Sequence, residues 1–329
     1  GADGFRMDVI NFVSKNPKLP DGPLTGDYGD FAEHAINGPR MHEFLHEMHE
    51  TVFAGRDVLT VGEMPGVSVE QARIHTNPVN RELDMVFQFE HVDLDHGPGG
   101  KFDPRPLDLV RLKASLNRWQ TGLNDRGWNS LYWNNHDQPR VVSRFGDDGR
   151  YRVESATAIA TTLHMMQGTP YVYQGEELGM TNAHLDDIAD YRDLETLNYH
   201  RTMVESGRVD AATAMAGIAR MSRDNARTPM QWTAGENAGF TTGTPWIGVN
   251  PNHVGINAEA AVADQGSVFH HYRRLIALRK KHQVIAHGRF APLLEEDPRV
   301  YAYTRAYNGQ VLLVLANWSD HTVKVDLPE

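Results

Sequence analysis

The sequence has 329 residues, a formal net charge of -11 and no cysteine. This length allows more than one domain. The negative charge disfavours nucleic acid and anionic membrane surfaces as partners. The lack of cysteine excludes disulfides and fits a reducing compartment. No apolar run is long enough to cross a bilayer.

The chain opens with a predicted strand in which Phe5, Met7 and Val9 alternate with Arg6 and Asp8. Successive side chains of a strand point to opposite faces, so Arg6 and Asp8 share one face. The nearby guanidinium favours the ionised form of Asp8. The pattern alone is compatible with a buried structural ion pair and with a chemical site.

Strand and helix patterns alternate through the first half of the chain. Helices are predicted at about 40–53, 107–119 and 151–166, and strands at 58–61, 83–89, 130–134 and 169–173. This alternation predicts a parallel sheet with crossover helices.

Three acidic residues, Asp8, Glu63 and Asp137, each follow a predicted strand. Parallel barrels carry their chemistry at the C-terminal ends of the strands. A closed (β/α)8 barrel needs eight strands, so we interpret the five predicted strands as about strands 4–8 of a TIM barrel. We expect the N-terminal barrel half to belong to a longer polypeptide or to a separate piece.

The segment 179–263 is a long polar excursion before an amphipathic helix predicted at 269–281. It contains Arg223, Arg227 and Trp232. Such a loop is either a salt-bridged surface clamp or a functional loop that reaches over the barrel mouth.

Two β-type runs near the C-terminus, 300–304 and 311–315, are separated by Asn308-Gly309, which predicts a hairpin. We therefore divide the chain into a catalytic barrel part at 1–285 and the start of a C-terminal antiparallel β domain at 286–329.

One motif points to different chemistry. His42, Glu43 and His46 match the H-E-x-x-H zinc signature on a predicted helix. The stretch is rich in His and Glu, and it lacks the later Gly and His of the extended signature. The helix also lies between two predicted strands, where it would form the outer layer. We favour a solvated helix face and expect no metal site.

The stretch 134–140 is dense in polar groups directly after an apolar strand. It is either a capped turn, because Asn, Asp and Pro favour turns, or a site where His136 and Asp137 bind substrate hydroxyls. For Glu176 and Glu177 we favour a structural role, because buried acids are usually paired.

Four motifs together resemble the conserved regions of the α-amylase superfamily: Gly4–Asp8, Val61–Glu63, Asn135–Asp137 and Gly168–Glu177. They occur in the order of that family, and the last resembles its eighth barrel strand. Further segments resemble the bacterial oligo-1,6-glucosidases within it, at 8–11, 62–66, 89–95 and around Arg227.

The resemblance implies a retaining α-glucosidase. Asp8 would be the nucleophile, Glu63 the general acid and base, and Asp137 a third carboxylate that grips sugar hydroxyls. Retention requires two carboxyl groups about 5–5.5 Å apart, and Glu63 must hold its proton near neutral pH, so we expect its environment to raise its pKa.

The same resemblance implies four substrate-binding residues. Arg6 would orient Asp8, His136 would bind hydroxyls of the same glucose, and Arg227 would cap the non-reducing end. Val9 matches the residue type of members that prefer α-1,6 bonds, whereas members that prefer α-1,4 bonds usually carry Ala or Thr there.

The resemblance also implies what lies outside this chain: the first three barrel strands, a small inserted domain and the calcium site of many members. We therefore expect no cofactor in this chain, an oligosaccharide as substrate, the missing barrel half as its partner, and a cytoplasmic location in a bacterium.

Several alternatives remain within the superfamily. A trehalose-6-phosphate hydrolase would need a cationic phosphate site, and none is evident. An α-1,4-glucosidase, or a sucrose isomerase or other transglucosylase, would use the same covalent intermediate. A non-catalytic, transporter-associated homologue would have lost the carboxylates, but Asp8, Glu63 and Asp137 are all present.

Overall fold

The structure is a computed structural model that describes residues 1–25 and 28–327. The strands in chain order are β1 (Gly4–Met7), β2 (Leu24–Thr25), β3 (Tyr28–Gly29), β4 (Leu59–Glu63), β5 (Met85–Phe87), β6 (His96–Gly97), β7 (Gly100–Pro104), β8 (Ser130–Leu131), β9 (Thr169–Pro170), β10 (Arg289–Leu293), β11 (Val300–Tyr307) and β12 (Gln310–Asn317).

The α-helices are α1 (Ala32–Ala35), α2 (Met41–Met48), α3 (Val69–His75), α4 (Leu109–Leu123), α5 (Val141–Phe145), α6 (Arg152–His164), α7 (Leu194–Glu205), α8 (Ala211–Met221), α9 (Asp224–Arg227), α10 (Ala258–Ala263), α11 (Val268–Lys281) and α12 (Gln283–His287). A π-helical turn, His49–Phe53, continues α2, and short 3-10 turns lie at Ile10–Phe12, Glu90–Val92, Glu176–Leu178, Ile188–Asp190, Glu236–Gly239 and Pro251–Val254.

The chain divides into two compact units. The first, unit 1, comprises Gly1–His91, Ser115–Leu131 and Gln167–Thr169. Its sheet has the order β1-β4-β5, and both pairings are parallel. The predicted parallel sheet is therefore confirmed for these strands.

Helices α2 and α3 and the C-terminal half of α4 cover this sheet with one apolar cluster. Buried members include Leu45 of α2, Ala72 of α3, Trp119 of α4 and Val86 of β5. Met7, from the apolar face of β1, packs against the same cluster. Burial of each large apolar side chain contributes about 1.5–3 kcal/mol, so this cluster fixes the strand ends on which the acidic residues lie.

Unit 2 comprises residues 92–114, 132–166 and the segment from Pro170 onward. Its sheet has the order β10-β11-β12 and is antiparallel. The turn between β11 and β12 places Asn308 at φ 47° and Gly309 at φ 77°. Both residue types tolerate positive φ, which a two-residue hairpin turn requires, so the predicted hairpin is confirmed.

The polar excursion contains two helices that the sequence analysis did not predict, α7 and α8. Each begins at an aspartate whose carboxylate accepts a backbone N–H: Asp193 from Thr196 and Asp210 from Thr213. Ile218 of α8 is fully buried in a cluster with Phe102 of β7. Capping at both aspartates, and for α8 this packing, stabilise the two helices.

Among the residues that the structure describes, no helix combines the length and the apolar character that a membrane crossing demands.

Candidate active site

One guanidinium joins two acidic residues at the end of the parallel sheet in unit 1. Arg6 points one nitrogen, Nη1, at Oδ1 of Asp8 and the other, Nη2, at Oε1 of Glu63, and both distances are 2.6 Å. Asp8 follows β1 directly, and Glu63 is the last residue of the neighbouring strand β4. The predicted shared face of Arg6 and Asp8 is therefore confirmed by a direct ion pair.

The two carboxyl groups have different environments. The Asp8 side chain is 70% exposed, whereas that of Glu63 is 7% exposed. Burial raises the pKa of Glu63 above its usual range, and a hydrogen bond with Asp8 adds to the increase, while the Val9 N–H and the Arg6 charge oppose it. The site thus places a buried carboxyl group with a raised pKa beside a solvent-exposed one, two environments that favour different protonation states.

Val9 lies between the two strand ends in a strained conformation. Its backbone has φ 34° and ψ 45°, in the left-handed region, which a β-branched residue rarely adopts. This conformation directs the Val9 N–H to Oε2 of Glu63, at 3.2 Å. Strain of this kind persists where the surrounding structure imposes it, and it is concentrated at functional sites.

The segments that follow β1 and β4 are fixed to each other. Asn11 is fully buried, and its Nδ2 donates to the carbonyl of Pro65 at 2.8 Å. A Cβ atom at Gly62 would lie 2.7 Å from the Leu83 side chain and 2.9 Å from that of Ile10. Glycine before Glu63 therefore lets these side chains close over the strand end.

A second group of polar side chains lies in unit 2, after β8. Asn135 accepts the backbone N–H of Asp137 at 2.8 Å, so the stretch forms the capped turn that its composition favours. Arg227, at the end of α9, donates from Nη2 to Oδ1 of Asp137 at 2.5 Å and from Nε to the carbonyl of His136 at 2.9 Å. The turn therefore presents an imidazole and an arginine-bound carboxylate.

Asp193 organises the arginines of this second group. It is almost fully buried, and its Oδ1 accepts from Arg223 Nη2 at 2.6 Å and from Arg227 Nη1 at 3.5 Å. Arg223 Nη1 also lies 3.5 Å from Asp137 Oδ1. Burial alone raises the pKa of Asp193, but the hydrogen bonds from Arg223 and Thr196 outweigh it and hold the pKa below its usual value.

The structure therefore collects the candidate residues in two groups. Arg6, Asp8, Val9 and Glu63 contact one another within unit 1. The remaining three contact one another within unit 2, namely His136, Asp137 and Arg227.

The zinc-signature residues do not converge on one point. Glu43 pairs with Arg40 through both carboxylate oxygens, at 2.8 and 2.5 Å. His46 Nδ1 lies 3.4 Å from the carbonyl of Asn80, and His42 contacts Glu82 instead. His42, Glu43 and His46 therefore each have a different partner in this structure.

Comparison with known proteins connects this geometry to a family. A sequence profile for the catalytic domain of α-amylase matches residues 1–288. The chain belongs to the α-amylase family. An oligo-1,6-glucosidase of Parageobacillus thermoglucosidasius is 56% identical to it over 331 residues, a match that covers 100% of this chain and 59% of that relative. The chain thus spans less than two thirds of the length of this relative.

Two solved structures are similar to this chain in fold. The crystal structure of Bacillus licheniformis trehalose-6-phosphate hydrolase matches with a TM-score of 0.90 and 50% identity, over 97% of this chain and 57% of that chain. The isomaltulose synthase from Erwinia rhapontici NX5 matches with a TM-score of 0.91 and 35% identity, again over 97% of this chain and 57% of that chain.

Sequence reasoning did not identify Asp193 in this α-amylase-family chain. A signal was present, because an aspartate directly before an apolar residue, with Glu195 in the first turn, is typical of a helix start. Its contacts with Arg223 and Arg227 span about thirty residues, and no local pattern indicates them.

Proposed function

We propose that this chain carries the catalytic carboxylates of a retaining α-glucosidase that releases terminal glucose from α-1,6-linked oligosaccharides. The observation that carries the proposal is the arrangement around Arg6, which contacts an exposed Asp8 and a buried Glu63 at 2.6 Å each. The similarity to an oligo-1,6-glucosidase at 56% identity supports the substrate class.

The two environments support two different roles. Asp8 is solvated and paired with Arg6, which favours the ionised form that a nucleophile needs. Glu63 is buried with a raised pKa, which favours the protonated form that a general acid needs. In the proposed first step Asp8 attacks the anomeric carbon while Glu63 protonates the glycosidic oxygen, and the bond to the leaving sugar breaks.

The second step regenerates the enzyme. Glu63, now a carboxylate, takes a proton from a water molecule as its oxygen attacks the anomeric carbon of the glycosyl–Asp8 ester. The bond between this carbon and Asp8 breaks, Asp8 leaves as a carboxylate, and glucose is released with its α configuration. A shared guanidinium and a mutual hydrogen bond bring the carboxyl groups of Asp8 and Glu63 close together. Inverting enzymes separate these groups by about 6.5–9.5 Å to admit a water, so the closeness favours retention.

For the unit 2 group we propose substrate binding. Asp137 and His136 offer an acceptor and an imidazole for sugar hydroxyls, and Arg227 fixes the turn that presents them. Val9 is the residue we propose to bias the enzyme towards α-1,6 bonds. No metal or organic cofactor is required by these steps.

The proposal extends to the architecture. The parallel order β1-β4-β5 and the family membership support strands 4–8 of a (β/α)8 barrel, followed at about residue 286 by an antiparallel β domain. The match covers 59% of the oligo-1,6-glucosidase and 57% of the trehalose-6-phosphate hydrolase, and we propose an N-terminal barrel half as the covalent or separate partner. The absence of cysteine supports a reducing compartment such as the cytoplasm.

The test compares four substrates on the intact protein: isomaltose, maltose, trehalose 6-phosphate and sucrose. We expect glucose release from isomaltose with the highest kcat/KM, and none from the Asp8→Asn variant. Preference for maltose would contradict the proposed α-1,6 specificity. Hydrolysis of trehalose 6-phosphate alone would show that the proposed substrate is wrong. Conversion of sucrose to an isomer would show that the enzyme transfers glucose within the substrate and does not hydrolyse it.

A further inference from the structure

Three side chains of unit 1 that lie far apart in sequence converge outside the proposed active site. They are His42 of α2, His75 in the last turn of α3, and Glu82 in the segment before β5. Nδ1 of His42 lies 2.8 Å from Oε1 of Glu82, and Nδ1 of His75 lies 2.6 Å from Oε2. The two imidazole rings stack with centroids 4.9 Å apart.

Two members of this trio are rigidly held. The side chains of His75 and Glu82 are 2% and 5% exposed. The backbone N–H of Leu83, a residue of the unit 1 core, donates to the carbonyl of His75 at 3.0 Å. This bond fixes the end of α3 to the segment that carries Glu82. The trio is therefore positioned by the fold before any ligand arrives.

The third member provides access. The side chain of His42 is 55% exposed, so one side of the trio faces solvent. A ligand can enter on this side, and water can occupy any coordination position that the protein leaves open.

We propose that His42, His75 and Glu82 form a binding site for a divalent transition-metal ion of the Zn²⁺ type. One nitrogen from each imidazole and one oxygen of Glu82 all lie within 4.8 Å of one another. Ligand atoms in a tetrahedral zinc site are separated by about 3.3 Å, given bonds of about 2.0–2.1 Å. Small side-chain rotations therefore convert the hydrogen-bonded trio into a ligand set.

The chemistry of the donors selects the ion. Two neutral imidazoles and one carboxylate suit Zn²⁺ and its neighbours Co²⁺, Ni²⁺ and Cu²⁺, whereas Mg²⁺ and Ca²⁺ prefer oxygen ligands. On binding, the ion replaces the two hydrogen bonds between the imidazoles and Glu82. Each neutral imidazole then carries its proton on the ring nitrogen that does not bind the ion.

This site differs from the one that the H-E-x-x-H motif suggests. Only His42 is common to both, because Glu43 pairs with Arg40 and His46 faces the carbonyl of Asn80. The ion would tie α2 to α3, and we expect it to act on stability and not on the proposed reaction, since the contacts of Asp8 and Glu63 described above are with Arg6, Val9 and each other. His46 is therefore a matched control for His42: both are exposed histidines of one helix.

The test titrates the intact protein with Co²⁺ and Zn²⁺. We expect the visible absorption bands of Co²⁺ bound to nitrogen and oxygen ligands, displacement of Co²⁺ by one equivalent of Zn²⁺, and a Zn²⁺-dependent rise in Tm that Mg²⁺ does not produce. His42→Ala should weaken binding by more than about tenfold, whereas His46→Ala should leave it unchanged.

The exposed position of His42 means that His42→Ala should keep the fold, which circular dichroism can verify. Equal Zn²⁺ affinity in the unsubstituted protein and the His42→Ala variant would overturn the proposal, and so would a loss of binding in His46→Ala. We expect the His42→Ala variant to hydrolyse isomaltose at an unchanged rate. The test of metal binding and the test of the proposed glucosidase activity can therefore fail independently.

Discussion

The backbone N–H of Val9 donates to Oε2 of Glu63 at 3.2 Å, across fifty-four positions of sequence. The bond requires the left-handed conformation of Val9, with φ 34°. A strained valine after the proposed nucleophile thus fixes the orientation of the proposed general acid. Because the backbone N–H makes this hydrogen bond, a substitution of the Val9 side chain can retain it.

The first prediction concerns this side chain. Val9→Thr keeps the branched shape and the backbone N–H but replaces a methyl group by a hydroxyl. We expect the ratio of kcat/KM for isomaltose to that for maltose to fall about tenfold, since a change of this size in a pocket is worth about 1–3 kcal/mol. Steady-state kinetics on both disaccharides measures the ratio. An unchanged ratio would show that Val9 does not govern linkage preference.

The second prediction concerns pH. The raised pKa of Glu63, caused mainly by burial, places the loss of its proton above the usual range of a carboxylic acid, so kcat/KM should decline on the alkaline side as Glu63 ionises. Arg6 opposes this pKa increase, so Arg6→Met should raise the pKa further and move the alkaline limb to higher pH, at reduced activity. Measurements of kcat/KM from about pH 4 to about pH 9 for both proteins test the direction in which the alkaline limb moves. A shift to lower pH would contradict the account.

The third prediction compares two helix-capping aspartates. Asp193 caps α7 and also binds Arg223 while buried, whereas Asp210 caps α8 and is exposed. Asp193→Ala should reduce the free energy of unfolding by about 2–4 kcal/mol, because it removes a cap and leaves a guanidinium without its buried partner. Asp210→Ala should reduce the free energy of unfolding by a distinctly smaller amount. Denaturant titrations of both variants test this, and equal losses would mean that the ion pair contributes little.

The fourth prediction uses a buried acid of unit 2. Burial raises the pKa of Glu176 from 4.5 to about 8, although the hydroxyl of Tyr272 donates to it at 2.7 Å and opposes the shift. Between these two values the unfolded chain is ionised and the folded chain is protonated. The folded state then binds more protons, and the free energy of unfolding declines by up to about 1.4 kcal/mol per pH unit as pH increases.

Glu176→Gln removes this titration while keeping an oxygen that can accept from Tyr272. The variant should therefore be more stable than the unsubstituted protein above about pH 8 and equally stable near about pH 4. Tm measurements across this range test the prediction. A variant that is less stable at every pH would indicate that Glu176 is ionised in the folded protein.

Local sequence patterns predicted much of unit 1. Alternation placed Arg6 and Asp8 on one face, and the structure joins them by an ion pair. Apolar runs predicted β4 and α4 to within a few residues. These features depend on residues close in sequence, for which periodicity is informative. The Asn308-Gly309 turn was predictable for the same reason, since its conformation is intrinsic to those residues.

Contacts between distant segments were not predictable. The motif paired His42 with Glu43 and His46, but the fold pairs it with His75 and Glu82, thirty-three and forty residues away. Helix α8 was missed because its segment was interpreted as part of a polar excursion, although Ala214, Ile218 and Met221 have the spacing of one helix face. The contact of His42 with Glu82 is decided by tertiary packing, and no local pattern in the sequence indicates it.

The central claim, that Asp8 is the nucleophile, is tested most directly by trapping the covalent intermediate. A fluorinated α-glucosyl fluoride slows hydrolysis of the glycosyl-enzyme, and mass spectrometry of a tryptic digest then locates the sugar. Asp8 is the sole carboxylate side chain of the expected peptide from Met7 to Lys15. We predict one glucosyl adduct on this peptide, absent in Asp8→Asn. An adduct on another peptide, or release of β-glucose as the first product, would contradict the account.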